Sequence, residues 1–172
     1  FIGRLEEGKG VYEFMDTVDR LNIPVRATVI GYGPLLDEVE SRANGKLRVI
    51  GGVPQNELPR FYSDFDLFIF PTKKQESLGL TGIESMACGT PVIGSDIGGI
   101  PTYLQDGYNG YLVRPGSVND LVEAIEKYAR LSDTHKKQMQ EHCLTTSLSF
   151  YRSAVARRLA EIFIRVGQEE IC

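Results

Sequence analysis

Asp66-Leu67-Phe68-Ile69-Phe70-Pro71 is followed, four residues on, by Glu76-Ser77-Leu78-Gly79-Leu80-Thr81-Gly82-Ile83-Glu84, which runs into Ser85-Met86-Ala87-Cys88 before Gly89-Thr90-Pro91. The apolar run ended by a proline reads as a buried strand. The glycines mark a loop, and residues 83–88 read as a helix stopped by Gly89 and Pro91. In a parallel sheet the loop after a strand lies at the carboxyl edge, where ligands bind. Free N–H groups at the head of the helix favour an anion there. Glu76 would stand in the loop beside that anion, and Glu84 about one turn into the helix. A phosphate on the N–H groups, with a carboxylate on either side to accept from hydroxyls, suits a sugar nucleotide. Glutamates also gather at helix starts because they complement the dipole, so the pair alone does not decide the chemistry.

Working outward, the rest of the chain repeats the same alternation. Phe1-Ile2 reads as the end of a strand, and Val11, Phe14, Met15, Val18 and Leu21 recur at helical spacing. Val25–Ile30 and Leu47–Ile50 read as strands, as do Pro91–Ser95 and Tyr111–Val113. Pro34 is placed to open a helix through Leu35, Leu36 and Val39. Asn56 is placed to cap a short helix with Leu58, Phe61 and Tyr62 on one face. Thr102–Leu104 would begin another short helix. Ser117 is placed to cap a helix through Leu121, Ala124, Ile125 and Tyr128, and two further helices cover Asp133–Leu148 and Ser149–Val166. Strands alternating with helices over short loops predict an α/β fold, a Rossmann-like parallel sheet with helices on both faces. The expected organisation is one domain over residues 1–172, with a helical tail from about 132 to 172 packed outside.

Composition narrows the function. The 172 residues carry a net charge of -4, against the basic face that nucleic-acid binding needs, so no nucleic-acid partner is expected. Cys88, Cys143 and Cys172 are odd in number and widely spaced, which fits neither a disulfide framework nor a metal site. Cys88 reads as core, and a reducing compartment is the simplest setting. His135 and His142 lie in the polar tail, so neither is expected to act in catalysis or to bind metal. No apolar run is long enough to span a bilayer. The chain opens at Phe1 without a methionine, inside what reads as a strand, and the expectation is a piece of a longer protein.

Three other loops carry candidate chemistry. In Gly3–Gly10, Arg4 at a strand end and Lys9 before a helix either converge on one diphosphate or are two surface cations. Gly31-Tyr32-Gly33 begins like a dinucleotide fingerprint, but Leu36 stands where the third glycine belongs, so a tight turn is favoured. Gly98-Gly99 serves either a sharp turn or a close approach to a ligand.

Taken together in order, Phe1-Ile-Gly-Arg-Leu-x-x-x-Lys-Gly10, Gly31-x-Gly-Pro34, Gly52-Val-Pro54, Asp66–Pro71 and the two-glutamate stretch resemble the nucleotide-binding domain of family 4 glycosyltransferases, the retaining group with the GT-B fold. Met86-Ala-Cys-Gly-Thr-Pro-Val-Ile93, Gly98-Gly-Ile-Pro101 and Asp106-Gly-x-Asn-Gly-x-Leu-Val113 continue the resemblance, which runs to about residue 131. Thr102 stands where family members often carry an acid.

The resemblance implies a hexosyltransferase that binds a UDP- or GDP-sugar donor. Arg4 and Lys9 would hold the diphosphate and stabilise charge on the departing nucleotide, with Glu76 orienting the donor sugar. Gly79 and the N–H groups of Leu80 and Thr81 would meet phosphate, Glu84 the ribose hydroxyls, and the backbone of Val53 the base. No cofactor and no metal would be needed. The acceptor, a sugar or lipid-linked sugar, would sit on an N-terminal domain that this chain lacks, so the fragment alone would be inactive. The implied setting is cell-surface polysaccharide or glycolipid synthesis in the cytoplasm, peripheral to the inner face of a membrane through the missing half. Alternatives within the fold are a nucleotide-sugar epimerase, a glycogen- or sucrose-synthase relative, and a module that binds nucleotide sugars without transferring them. A Rossmann dehydrogenase is disfavoured by the missing third glycine.

Overall fold

The computed structural model describes residues 1–169, so Cys172 and the end of the expected tail lie outside the described residues. Among the described residues there are five short strands: β1 (Ala27–Ile30), β2 (Leu47–Ile50), β3 (Phe68–Phe70), β4 (Val92–Ser95) and β5 (Gly110–Val113). All pairings between them are parallel, β1 with β2 in one piece and β3-β4-β5 in order in another. Phe1-Ile2 extends the first piece, through a parallel bridge from Ile2 to Ile30. The single sheet expected from sequence is therefore hydrogen-bonded in two pieces.

Packing makes the two pieces one layer. Side chains of a strand alternate between faces, and here neighbours divide between two apolar cores. Phe1, Val29, Ile69 and Ile93 enter one core, while Ile2, Ile30, Phe68, Phe70 and Val92 enter the other. Both pieces contribute to both cores. The first core is closed by α1 (Val11–Arg20), α2 (Leu36–Ser41) and α5 (Val118–Ala129), the second by α3 (Leu58–Asp64) and α4 (Leu80–Ala87). The near-continuous apolar character of Asp66–Pro71 follows, since a strand covered on both faces has no solvent side.

Helix α6 (Asp133–Leu148) has the bounds expected from sequence and packs on α4, burying Cys143. It contributes Met139 to the first core and Cys143 to the second, and most of its other side chains are exposed. Helix α7 (Arg152–Glu169) follows after a turn at Ser149–Tyr151, so the last predicted helix starts three residues later than expected.

Four starts also differ from the sequence reading. Helix α4 begins at Leu80, three residues before the expected 83, because Gly79 in the left-handed region (φ +73) caps it. Asn56 caps nothing: Gln55–Glu57 forms a 3-10 turn, and Glu57 precedes α3, with Pro59 near the helix start. Pro34 lies in a turn two residues ahead of α2. Ile100–Thr102 is a 3-10 turn, with Pro101 inside it, rather than the start of a helix at Thr102. Ser117 does cap α5, its hydroxyl accepting from the Asp120 N–H at 3.2 Å.

Candidate functional site

Three loops leave strand ends at the carboxyl edge and are locked together by backbone. The Gly8 carbonyl accepts from the Lys73 and Lys74 N–H groups at 2.9 and 3.2 Å, tying the Arg4–Lys9 loop to the loop after β3. Gly10 fixes how closely they approach: it has φ +78, and a Cβ there would lie 1.9 Å from the Pro71 carbonyl oxygen. On the other side, the Gly99 N–H donates to the Glu76 carbonyl at 2.7 Å. Gly98 has φ +59, and a Cβ on it would lie 2.3 Å from that same oxygen. The Gly98-Gly99 pair is thus a close approach of backbone to backbone, and it seats Glu76. The Gly31–Gly33 loop is held likewise, with the Leu5 N–H donating to the Tyr32 carbonyl at 2.8 Å.

This seating brings Lys9 and Glu76, 67 positions apart in the chain, into an ion pair. Lys9 Nζ lies 2.5 Å from Glu76 Oε1, with the Thr72 hydroxyl 3.2 Å from the same oxygen. The Glu76 side chain is 15% exposed and that of Lys9 29%. Among the described residues no donor engages Oε2 of Glu76.

Arg4 does not join Lys9 directly. Its Nε lies 3.1 Å from Glu6 Oε2, and Lys74 Nζ lies 2.9 Å from Glu6 Oε1. The hydrogen bond from Lys74 holds the Glu6 carboxyl below its ordinary value, with the charges of Lys74, Arg4 and Lys9 adding to it against desolvation. The two candidate diphosphate cations therefore stand at either end of one loop, each matched to its own carboxylate, with the guanidinium end of Arg4 open to solvent.

Gly79 caps α4 without a side-chain hydrogen bond, and the N–H groups of Leu80 and Thr81 meet no acceptor among the described residues. They are the unpaired donors of a helix start. Glu84 lies one turn further on, away from Glu76 and beside α3. Its Oε2 accepts from the Tyr62 hydroxyl and its Oε1 from the Gln55 amide, both at 3.3 Å. A cavity of about 230 Å³ opens there, lined by Glu84, Gln55, Leu58, Pro59, Tyr62 and the Ala87-Cys88 end of α4. Val53, two residues before Gln55, packs half-buried on the second core. Cys88 caps the end of α4, half-buried, where it packs against the second core and also lines the cavity.

Sequence reading put Glu76 in the loop and Glu84 about a turn into the helix, where the structure has them, but the helix begins at Leu80, inside the stretch read as a loop, and the side chains that hold the glutamates were missed. Thr72, Gln55 and Glu6 carried no pattern, and Tyr62 read as one apolar face of a helix. The histidines lie elsewhere: His135 bonds Ser132, and His142 stacks on Tyr108 with ring centroids 3.8 Å apart. Among the described residues no cluster of His, Cys, Asp or Glu is placed to hold a metal ion, and no helix is long and apolar enough to cross a membrane.

Residues 1–142, which include every site residue above, match the family model for glycosyl transferases group 1. The chain belongs to that family. It is 34% identical over 128 residues to the sulfoquinovosyl transferase SQD2 of Arabidopsis thaliana, covering 72% of this chain and 25% of that protein. It is 30% identical over 128 residues to TuaC of Bacillus subtilis, a putative teichuronic acid biosynthesis glycosyltransferase, covering 74% of this chain and 32% of that protein. The Anabaena protein Alr3699/HepE, solved in complex with UDP, superposes on 95% of this chain with a TM-score of 0.84 at 21% identity, and the chain covers 47% of it. The same protein solved with UDP-glucose gives a TM-score of 0.82. At that identity the likeness speaks for the fold: α/β, with helices on both faces of parallel strands, as in GT-B glycosyltransferases. The chain spans about half the length of these solved structures and a quarter to a third of the curated relatives.

Proposed function

We propose that this chain is the donor-binding, C-terminal half of a family 4, retaining glycosyltransferase, and that its donor is a nucleoside-diphosphate sugar. The observation that carries this reading is the arrangement along one edge: the Lys9–Glu76 pair, the free Leu80 and Thr81 N–H groups, and Glu84 one turn beyond. A diphosphate laid across the helix start would meet those N–H groups and the cations Arg4 and Lys9. Its sugar then falls to Glu76 and its ribose to Glu84, on either side of the phosphates. Positive charge held at the leaving diphosphate offsets what develops as the glycosidic bond breaks, without a metal.

A UDP-sugar is preferred to a GDP-sugar, because the Anabaena structure of the same fold is solved with UDP and with UDP-glucose. A role in cell-surface polysaccharide or glycolipid synthesis is supported by the naming of TuaC for teichuronic acid biosynthesis. The acceptor would be bound by the remainder of a two-domain enzyme, with residues 1–172 acting as one domain and with catalysis needing both, at the cytoplasmic face of a membrane. The epimerase and the non-transferring module are not favoured, since both curated relatives named above carry transferase names.

The test is ligand-detected saturation-transfer NMR of this chain with UDP-glucose, GDP-mannose and the free diphosphates. Saturation of ribose protons, extending to sugar protons in one nucleotide class, is the expected result. No transfer to any of the four ligands contradicts the reading.

A further inference from the structure

Glu84 is held by two donors of very different standing. Gln55 comes from an exposed 3-10 turn and has no other side-chain partner among the described residues. Tyr62 is 1% exposed, and its ring packs edge-on against Phe68 with centroids 5.5 Å apart. Its backbone is pinned as well: the Thr90 hydroxyl donates to the Tyr62 carbonyl at 2.6 Å, and the Ser85 hydroxyl donates to the Thr90 carbonyl at 2.9 Å. Tyr62 is thereby fixed to the same helix that carries Glu84. A phenol buried this deeply needs an acceptor, and Glu84 Oε2 is the acceptor it has.

We propose that Tyr62 is the positioning residue of the ribose site: its hydroxyl permanently occupies Oε2 of Glu84, sets the plane of the carboxylate, and reserves Oε1 for a vicinal hydroxyl of the nucleotide. This rests on the reading of Glu84 as the ribose ligand. Gln55, at Oε1, marks the place that the incoming hydroxyl takes, and it is the partner that yields. Burial first, and then the neighbouring Glu84 charge, push the Tyr62 phenol well above its ordinary value, so it remains a donor at any working pH. A carboxylate with one oxygen so committed can still accept from a diol on the other, and its orientation costs nothing when the ligand arrives.

The experiment compares UDP and GDP with their 2′-deoxy and 2′,3′-dideoxy forms by calorimetry on the native chain, Tyr62→Phe, Gln55→Ala and Glu84→Ala. The native chain should prefer the ribo form by about tenfold, the scale of one hydrogen bond to a charged group. Tyr62→Phe should bring that ratio to about one while keeping the ring packing, with its thermal unfolding as the check on folding. Gln55→Ala should keep the preference. Full preference in a folded Tyr62→Phe overturns the positioning role while leaving the ribose reading intact, provided Glu84→Ala loses the preference. A native chain without preference, or without nucleotide binding, overturns both. If Tyr62→Phe fails to fold, Gln55→Ala decides: loss of preference there assigns the positioning role to Gln55 and overturns the proposal.

Discussion

Lys9 Nζ lies 2.5 Å from Glu76 Oε1, joining a loop before the first helix to a loop after the third strand. The contact exists because two backbone approaches, Gly10 on Pro71 and Gly98 on Glu76, leave the loops no other spacing. Neither side chain is fully buried, so the pair costs less to desolvate than a core ion pair and stays within reach of a ligand.

Removing Lys9 should weaken the phosphate end of the ligand and little else. Lys9→Ala is expected to lower affinity for a nucleoside diphosphate by roughly 10- to 100-fold, the range of a charge-assisted hydrogen bond. Affinity for the bare nucleoside should stay unchanged. Calorimetry with UDP and uridine checks both, and equal losses for the two ligands would contradict the assignment.

Gly98→Ala should unseat Glu76. An L side chain at φ +59, with its Cβ 2.3 Å from the Glu76 carbonyl oxygen, forces the loop to move. The expected cost is about 1–3 kcal/mol, visible as a fall in Tm of several degrees. Nucleotide-sugar affinity should fall with it. A variant with native Tm would mean that the loop is slack.

Alkaline pH should destabilise the fold through its phenols. Burial raises Tyr62 and Tyr103 far above the ordinary value of 10.0 and pushes Tyr128 up to about 12. A folded value above the unfolded one means stability is fully present below pH 10 and is lost as pH rises through the folded values. Tm should hold steady from pH 7 to 9 and fall above about 10, less steeply in Tyr62→Phe. A Tm unchanged to pH 11 would contradict the burial of these hydroxyls.

The thiols should differ in reactivity. Burial pushes the Cys143 thiol up to about 12, while Cys88 is half-buried with a smaller rise from the same cause. Only the thiolate reacts. At pH 8, Cys88 should react with a disulfide reagent in the native protein, and Cys143 only on unfolding, as mass spectrometry of the labelled peptides would show. Rapid native labelling of Cys143 would contradict the packing of α6 on α4.

The fold was legible because its strands are short apolar runs bounded by glycine and proline. Asp66–Pro71 is the clearest case: Phe68 and Phe70 enter one core and Ile69 the other, which demands apolar residues throughout. Local rules failed where two signals competed. Asn56 looked like a cap, but Pro54 and Pro59 set the backbone around it and produced a 3-10 turn. The placement of Glu76 in a loop and of Glu84 on the following helix was legible, because their spacing is local, although the helix begins at Leu80 rather than at residue 83. The grip on each was not. Tyr62 reaches Glu84 across 22 residues, and nothing in an apolar helix face announces a hydrogen bond. Gly98-Gly99 left both a sharp turn and a close approach to a ligand open in sequence, and only the folded chain shows a close approach to the backbone of Glu76.

The central claim, a donor site running from Lys9 and Arg4 across the start of α4 to Glu84, is most directly tested by calorimetric titration of the native chain and of Glu84→Ala with UDP- and GDP-sugars. Saturable binding of one nucleotide class by the native chain, lost in a Glu84→Ala variant of unchanged Tm, is the predicted result. Equal affinity in the two proteins, or no binding by the native chain at millimolar ligand, would contradict it.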